Sequence, residues 1–588
     1  MPYSVRETII MSSESSLPAG ARTQTEVFAV HGADPEILAF AMAKYSRSAL
    51  SMRESLAEIS AQRAEQFLNT FYFQYGHRSI ADLAHIAFAI ERLSLLAAII
   101  LVDETRWDGQ ERSTRYQNFL ESGWFFPGFG DDSSSAKLYS KTIEILFAAY
   151  QRVSAAVLDL LRSRIARPES LKADAYERTL RARAFDVARY LLPLATNTSL
   201  GQIVSARTLE TQVSRLLSHP AAEVRLLGEK LREAATGPAW NLNARAAQAF
   251  VDKLAAAEKQ GAECQGPGTK DVGTSQQASN EAALKGHGFS RARSAEKTEE
   301  TLAPKGSLAA EAAALFIREI RTAPTLVKYA QPNPYLTESQ AELAQAAAEV
   351  LAPLSSKTQP HAVVDLVERT ESLEVELAAT LLYSASHHPY RHIRDLVSGL
   401  PGSQVSEIIH LGLRHRGRHD EALRAFQAGA ALRFDLLMDI GGFRDMHRHR
   451  RCTQIIQGFT WQHGYETPGA GDLSTEIDIL AEASVLADYR SAIESAHAAA
   501  AQIAAGPAPE AAQSAQYLLP LATRIRALFK MDFAEAQYII ELRSAPAGHF
   551  SYRRVAWEMF LALQRRHPSL AKHIRVTDFT QPIDLLQR

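Results

Sequence analysis

A heptapeptide that occurs twice constrains this chain more than any other feature. Tyr190-Leu191-Leu192-Pro193-Leu194-Ala195-Thr196 returns unchanged as Tyr517-Leu518-Leu519-Pro520-Leu521-Ala522-Thr523. A weaker echo, Lys44-Tyr45-Ser46-Arg47-Ser48 against Leu382-Tyr383-Ser384-Ala385-Ser386, keeps the same order along the chain. A spacing of about 330 residues is far longer than any solenoid repeat, so it indicates a duplicated domain. A fused pair of that kind is an internal pseudo-dimer, free to pair again with a second chain.

The stretch between the copies is different in kind. From Glu258 to Ser307 the chain turns to Gly, Ser, Thr, Gln, Lys and Glu, with Phe289 as its one aromatic residue. Such a segment buries too little apolar surface to offset its ordering entropy, and it reads as a flexible linker or insertion. The expected organisation is therefore a domain over 20–257, a linker over 258–307 and a second domain over 308–588. Ala- and Leu-rich segments with apolar residues three and four apart predict helices over 34–66, 136–165, 205–257, 308–322, 338–352 and 475–505. Short β-prone pieces stand at Glu26–Val30, Ile86–Ile90 and Leu432–Ile440. Each half is thus expected to be a helix-dominated α+β domain.

Composition narrows the function classes. Net charge is −2, so a general nucleic-acid coat is not indicated and any anion is bound locally. The longest apolar run, Leu95 to Val102, is too short for a membrane helix of about 20 residues. No secretory signal pattern opens the chain. The only two cysteines, Cys264 and Cys452, are isolated, which fits a reducing, cytoplasmic setting and argues against a thiolate zinc site. His415 and His419 stand four apart without a third ligand in view, so no metal is expected.

Two basic clusters carry the chemistry. In the first half Gly76-His77-Arg78-Ser79 precedes an apolar stretch ending in Glu111-Arg112-Ser113-Thr114-Arg115-Tyr116. In the second, Gly417-Arg418-His419 precedes Phe443-Arg444-Asp445-Met446-His447-Arg448-His449-Arg450-Arg451. Taken alone, an Arg-His-Arg string is as readily a solvated basic face, and Glu111 to Arg115 as readily a capped helix start. Together they resemble the flavin-dependent thymidylate synthases, whose signature is an Arg-His-Arg triplet followed by a Ser and then an Arg. Neither half carries the whole signature. In gapless register Glu111, Ser113 and Arg115 fall on the motif, while its triplet falls on Asp103-Glu104-Thr105. The second half keeps Arg448-His449-Arg450 but has Ile456, Gly458 and Thr460 at the later positions.

Downstream, Ala188-Arg189-Tyr190-Leu191-Leu192-Pro193 is similar to the family segment that supplies a nucleotide-binding arginine, and Arg207 and Arg215 match two more family arginines. Their counterparts in the second half are Gln516, Ala534 and, after a one-residue slip, Arg543. Guanidinium forks suit this task, since they hold phosphate bidentately and stay charged at any physiological pH.

The resemblance implies a pseudo-dimer in which one composite site takes its triplet from one half and its nucleotide pocket from the other. It would convert dUMP to dTMP with FAD, methylenetetrahydrofolate as carbon donor and NADPH as reductant. By that resemblance Glu111, Ser113, Arg115 and Arg189 hold the nucleotide, and Arg215 stabilises charge on the pyrimidine. His77, Ser79, Arg207, Arg448, His449 and Arg450 hold the flavin. No catalytic cysteine is needed, because the flavin carries the redox chemistry. The alternative from a different class is a non-catalytic relative that still binds flavin or a pyrimidine nucleotide. Nucleic-acid binding through Arg414–His419 and Arg444–Arg451 is a third reading, weakened by the near-neutral charge and the scarcity of stacking aromatics.

Overall fold

The computed structural model describes residues 34–44, 78–241, 244–263, 307–317, 319–354, 362–367, 372–415, 423–426, 432–469, 472, 478–508, 510–571 and 574–586. Helices dominate there and two small antiparallel sheets accompany them, as the apolar periodicity predicts.

The first sheet has the order β1 (His85–Ser94), β3 (Asn197–Ser205), β2 (Asp108–Glu111). The second has the order β4 (Val364–Leu366), β5 (Leu432–Asp439), β7 (Arg524–Met531), β6 (Thr453–Ile456). The registers correspond strand for strand. Ser94 faces Asn197 as Asp439 faces Arg524, and Asp108 faces Ile203 as Thr453 faces Lys530.

Local chemistry ends these strands in one repeated way. A short polar side chain in extended conformation closes the strand and caps the next helix. Ser94 Oγ accepts from Ala97 N at 2.9 Å and starts the helix Leu95–Leu101. Asp439 accepts from Gly442 N at 2.6 Å and starts Ile440–Met446. Ser205 and Asp532 do the same for the helices Ala206–Leu217 and Phe533–Ser544.

The heptapeptides meet each other. Leu194 N donates to Leu519 O at 3.0 Å and Leu521 N to Leu192 O at 3.0 Å, while Ala195 N donates to Tyr517 O at 2.8 Å and Ala522 N to Tyr190 O at 3.0 Å. This antiparallel bridge, centred on Pro193 and Pro520, is reciprocal residue by residue. Proline has no N–H to give, and here none is asked of it. The repeat thus forms a seam between the halves.

Around the seam the pattern continues. Leu95 N and Leu96 N donate to Thr196 O and Leu194 O, as Ile440 N and Gly441 N donate to Thr523 O and Leu521 O. Tyr139 OH donates to Phe125 O at 2.8 Å, as Tyr489 OH does to Glu466 O at 2.7 Å. Those tyrosines lie on the helices Ser133–Arg164 and Leu486–Ala504, which pack on each other. One apolar core runs through both halves, and a smaller one lies under residues 343–426 of the second.

Some expectations shift. The helix Ala244–Glu263 extends into the stretch read as linker, Ser307 already caps the helix Leu308–Phe316, and 264–306 lie outside the described residues. Glu26–Val30 also lies outside them. Strands β3 and β7, which follow each heptapeptide, were not anticipated. Among the described residues no helix is long and apolar enough to cross a membrane.

Candidate functional site

The helix Ile440–Met446 brings the basic cluster of the second half against the first. Its start is tight: a Cβ on Gly442 would meet Ser551 Oγ at 2.5 Å, so only glycine lets the chain pass. Beyond that turn the helix presents Arg444 and Asp445 to the other half.

Three charged pairs then form. Arg444 Nη2 donates to Glu111 Oε1 at 2.5 Å. Arg189 Nη1 lies 3.4 Å from Asp445 Oδ2. Arg115 donates to both carboxylate oxygens of Asp186, at 2.7 and 3.2 Å, and reaches across to Tyr552 OH at 2.9 Å and Ala547 O at 3.1 Å. The Tyr552 ring is shared, with the Arg115 guanidinium 5.8 Å and the Arg543 guanidinium 5.4 Å from its centroid.

Asp445 is the hub. Burial alone would raise its carboxyl, but Arg189, Arg448, Arg115 and Arg543 together hold it below the usual carboxylate range. Two of those arginines belong to each half. With Asp186 holding Arg115, the remaining Arg189, Arg448 and Arg543 still outnumber the single carboxylate of Asp445.

Beside this hub a narrow cleft of about 20 Å³ lies between the halves, lined by Trp107, Gly109 and Glu111 from one and Arg444, Arg448 and Arg450 from the other. Arg450 lies 5.2 Å over the Trp107 ring. Its guanidinium is lowered to about 10 by burial, against the opposing pull of Asp103. Two donors of the lining are buried without a hydrogen-bond partner, Nε of Arg444 and Nε of Arg450, and outside the lining so are Nε and Nη2 of Arg189. Unmade hydrogen bonds on buried cations are costly, and an anion entering the cleft would satisfy those of the lining.

The basic string is not a solvated face. Arg444 is nearly buried, His447 and His449 are buried and Arg450 is half-buried, leaving Arg448 and Arg451 exposed. His447 is held neutral, its imidazole pushed down to about 4 by burial, with Nδ1 2.7 Å from Gln454 Oε1. His449 Nε2 accepts from Arg543 Nε at 2.8 Å, so its proton belongs on Nδ1, 3.6 Å from Glu535.

Of the residues the sequence singled out, Glu111, Arg115, Arg189, Arg448, His449 and Arg450 are brought together. Ser113 joins them locally, its Oγ accepting from Arg115 N at 3.3 Å. Arg215 does not join: its Nε and Nη2 both donate to Glu104 Oε1, at 2.9 and 2.7 Å, because the carboxylate stands where the lost triplet had its histidine. Arg543 occupies the corresponding place beside His449. Arg207 pairs with Asp82 at 3.1 Å. Ser79 falls in the short 3-10 helix Arg78–Leu83, with its side chain outside the described residues, and His77 lies outside them altogether. Cys452 is buried with its thiol pushed up to about 12, which suits no nucleophile.

Trp107, Arg444, Asp445 and Tyr552 were not anticipated. Arg444 and Asp445 sit inside the basic string, and an acid within such a run is a usable signal. Trp107 and Tyr552 carry none that a single sequence discloses.

Comparison with known proteins finds the same family model in both halves. The model, described as thymidylate synthase complementing protein, matches residues 27–258 and again 365–569. The chain is similar along nearly its whole length to UPF0159 proteins. That of Chlamydia muridarum is 25% identical over 93% of this chain and 91% of its own. That of Chlamydia pneumoniae is 26% identical over 95% and 93%, and that of Thermoplasma acidophilum 23% identical over 91% and 94%. A solved flavin-dependent thymidylate synthase of Helicobacter pylori, complexed with FAD and dUMP, matches 34% of this chain and 89% of its own at 17% identity, with a TM-score of 0.23.

Proposed function

The chain belongs to the thymidylate synthase complementing protein family, and on that premise we propose that it is a flavin-dependent thymidylate synthase built as a fused pseudo-dimer. It methylates dUMP with carbon from methylenetetrahydrofolate, with NADPH as reductant, in the cytoplasm. The domains are 20–257 and 308–588, joined by the segment between them.

The observation that carries this reading is the gathering of Arg115 and Arg189 from one half with Arg448 and Arg543 from the other around Asp445. A nucleotide monophosphate and a flavin dinucleotide are both anions, and forked guanidinium donors are the groups that hold them. The groups that would hold the flavin's phosphates are the cleft arginines Arg444, Arg448 and Arg450, of which Arg444 and Arg450 keep a buried Nε without a partner, while the Trp107 face is taken by the Arg450 guanidinium. Bound there, the flavin supplies the hydride.

This chain's own residues bind and orient. Arg448, His449 and Arg450 hold the flavin side. Glu111, Ser113, Arg115 and Arg189 hold the nucleotide side. Arg543, in place of Arg215, supplies the cation that meets charge on the pyrimidine carbonyl. Arg115 is locked on Asp186 and keeps Tyr552 and the segment at Ala547 in position. Low-dielectric walls strengthen each of these interactions.

An absorption spectrum of the purified chain and a tritium-release assay with labelled dUMP test the reading. A flavin band with tritium release is expected. A colourless protein that binds dUMP without release would instead be the non-catalytic relative. A protein with neither flavin nor dUMP affinity contradicts both.

A further inference from the structure

A fused pair built on a reciprocal seam has two symmetry-related places for a ligand. We infer that this chain fills only one of them, and that the other is closed by its own carboxylates. The inference rests on the function proposed above.

The strand registers and the seam give each residue a counterpart. Arg444 and Glu111 correspond to Ile99 and Ile456. Asp445 and Arg189 correspond to Ile100 and Gln516, and Asp186 and Arg115 to Gln513 and Thr460. Every ion pair at the site described above therefore has an uncharged pair at its counterpart, with both members changed together. A buried charge without its partner is strongly unfavourable, so the two members of each pair had to go together.

The counterpart triplet has gone further and reversed sign. Where one half has Arg448-His449-Arg450, the other has Asp103-Glu104-Thr105. Asp103 pairs with Arg424, and Glu104 binds Arg215 through two hydrogen bonds. The cations that remain there are already matched by resident anions, which stand in for a ligand phosphate. At the first site Glu111 and Asp445 take up one end of Arg444 and of Arg189, yet Nε and Nη2 of Arg189, Nε of Arg444 and Nε of Arg450 stay without a partner.

Full-length protein, saturated with FAD and dialysed against labelled dUMP at equilibrium, gives the count directly. One flavin and one dUMP per chain are expected. Two of either per chain would overturn the inference while leaving the proposed function standing. No binding of either would overturn the proposed function, and the inference with it. A Glu104→Gln variant adds a second reading, because it frees Arg215 without restoring the other cations. Its count stays at one per chain, and a rise to two would show that Glu104 alone gates a competent second site and overturn the inference. Should that variant not fold, the wild-type count decides alone.

Discussion

At Asp439 a buried carboxylate accepts from Gly442 N and Ser551 Oγ, whereas at Ser94, its counterpart, a hydroxyl donates to Glu223 Oε2 at 2.6 Å. Acid and alcohol have exchanged places across the two halves, and the hydrogen bond survives. Burial pushes the Asp439 carboxyl up to about 6. Raised above its unfolded value, the group takes a proton more readily when folded, so stability falls as pH rises from about 4 to about 6 and stays lower above. Asp439→Asn should therefore stabilise the protein at pH 7 by up to roughly 3 kcal/mol, at 1.36 kcal/mol per unit, and the gain should vanish near pH 4. Thermal melts across that range check it, and an equal effect at both ends would contradict it. Arg115 gives a second prediction at this scale. Its partner Asp186 is fully buried, so Arg115→Met should cost about 3–5 kcal/mol in urea unfolding, and because Asp186 also faces the buried Arg183 at 3.9 Å, adding Asp186→Leu should not recover the loss.

Among the elements, a loop that docks on the start of β3 and one that docks on the start of β7 each turn on a glycine in the left-handed region, Gly123 at φ 72° and Gly464 at φ 70°. Both carbonyls accept from the first residue of the following strand, Asn197 N and Arg524 N, at 3.0 Å. A Cβ on Gly464 meets nothing within 4 Å, whereas one on Gly123 lies 3.2 Å from Asn197 Nδ2. Gly464→Ala should then cost backbone strain alone, about 1 kcal/mol, with Gly464→Asn milder, and Gly123→Ala should cost more. Chemical denaturation of the three variants reads the order. The long helices were legible because their apolar spacing is regular. Strands β3 and β7 were not, for different physical reasons. β7 buries nearly every residue, Arg526 and Lys530 included, so it shows no alternation of apolar and polar. β3 alternates, but Gly201 interrupts a run of mixed polarity. The heptapeptide pointed to two related halves, each of which matches the same family model, yet a repeat has no direction in space, and its use as a mutual bridge became visible only with the hydrogen bonds.

For the whole molecule the continuous core means that neither half buries its own seam. Leu191, Leu192, Leu194, Leu518, Leu519 and Leu521 are all fully buried, and exposing such a patch invites association. Residues 1–263 produced alone should be aggregated or molten, and co-production with 307–588 should restore a soluble complex, as size-exclusion chromatography would report. The site follows the same logic. Its arginines could be named from the sequence, half by half, but what holds each of two equivalent arginines depends on what its neighbour became, Glu104 beside Arg215 or His449 beside Arg543. The measurement closest to the central claim is dUMP affinity, by titration calorimetry of the flavin-loaded protein, for Arg189→Lys, Arg543→Lys and the double variant. Shared binding by both halves predicts at least a tenfold loss in each single variant, about 1.4 kcal/mol, and a double variant that loses less than the two combined. Wild-type affinity in either single variant would contradict it.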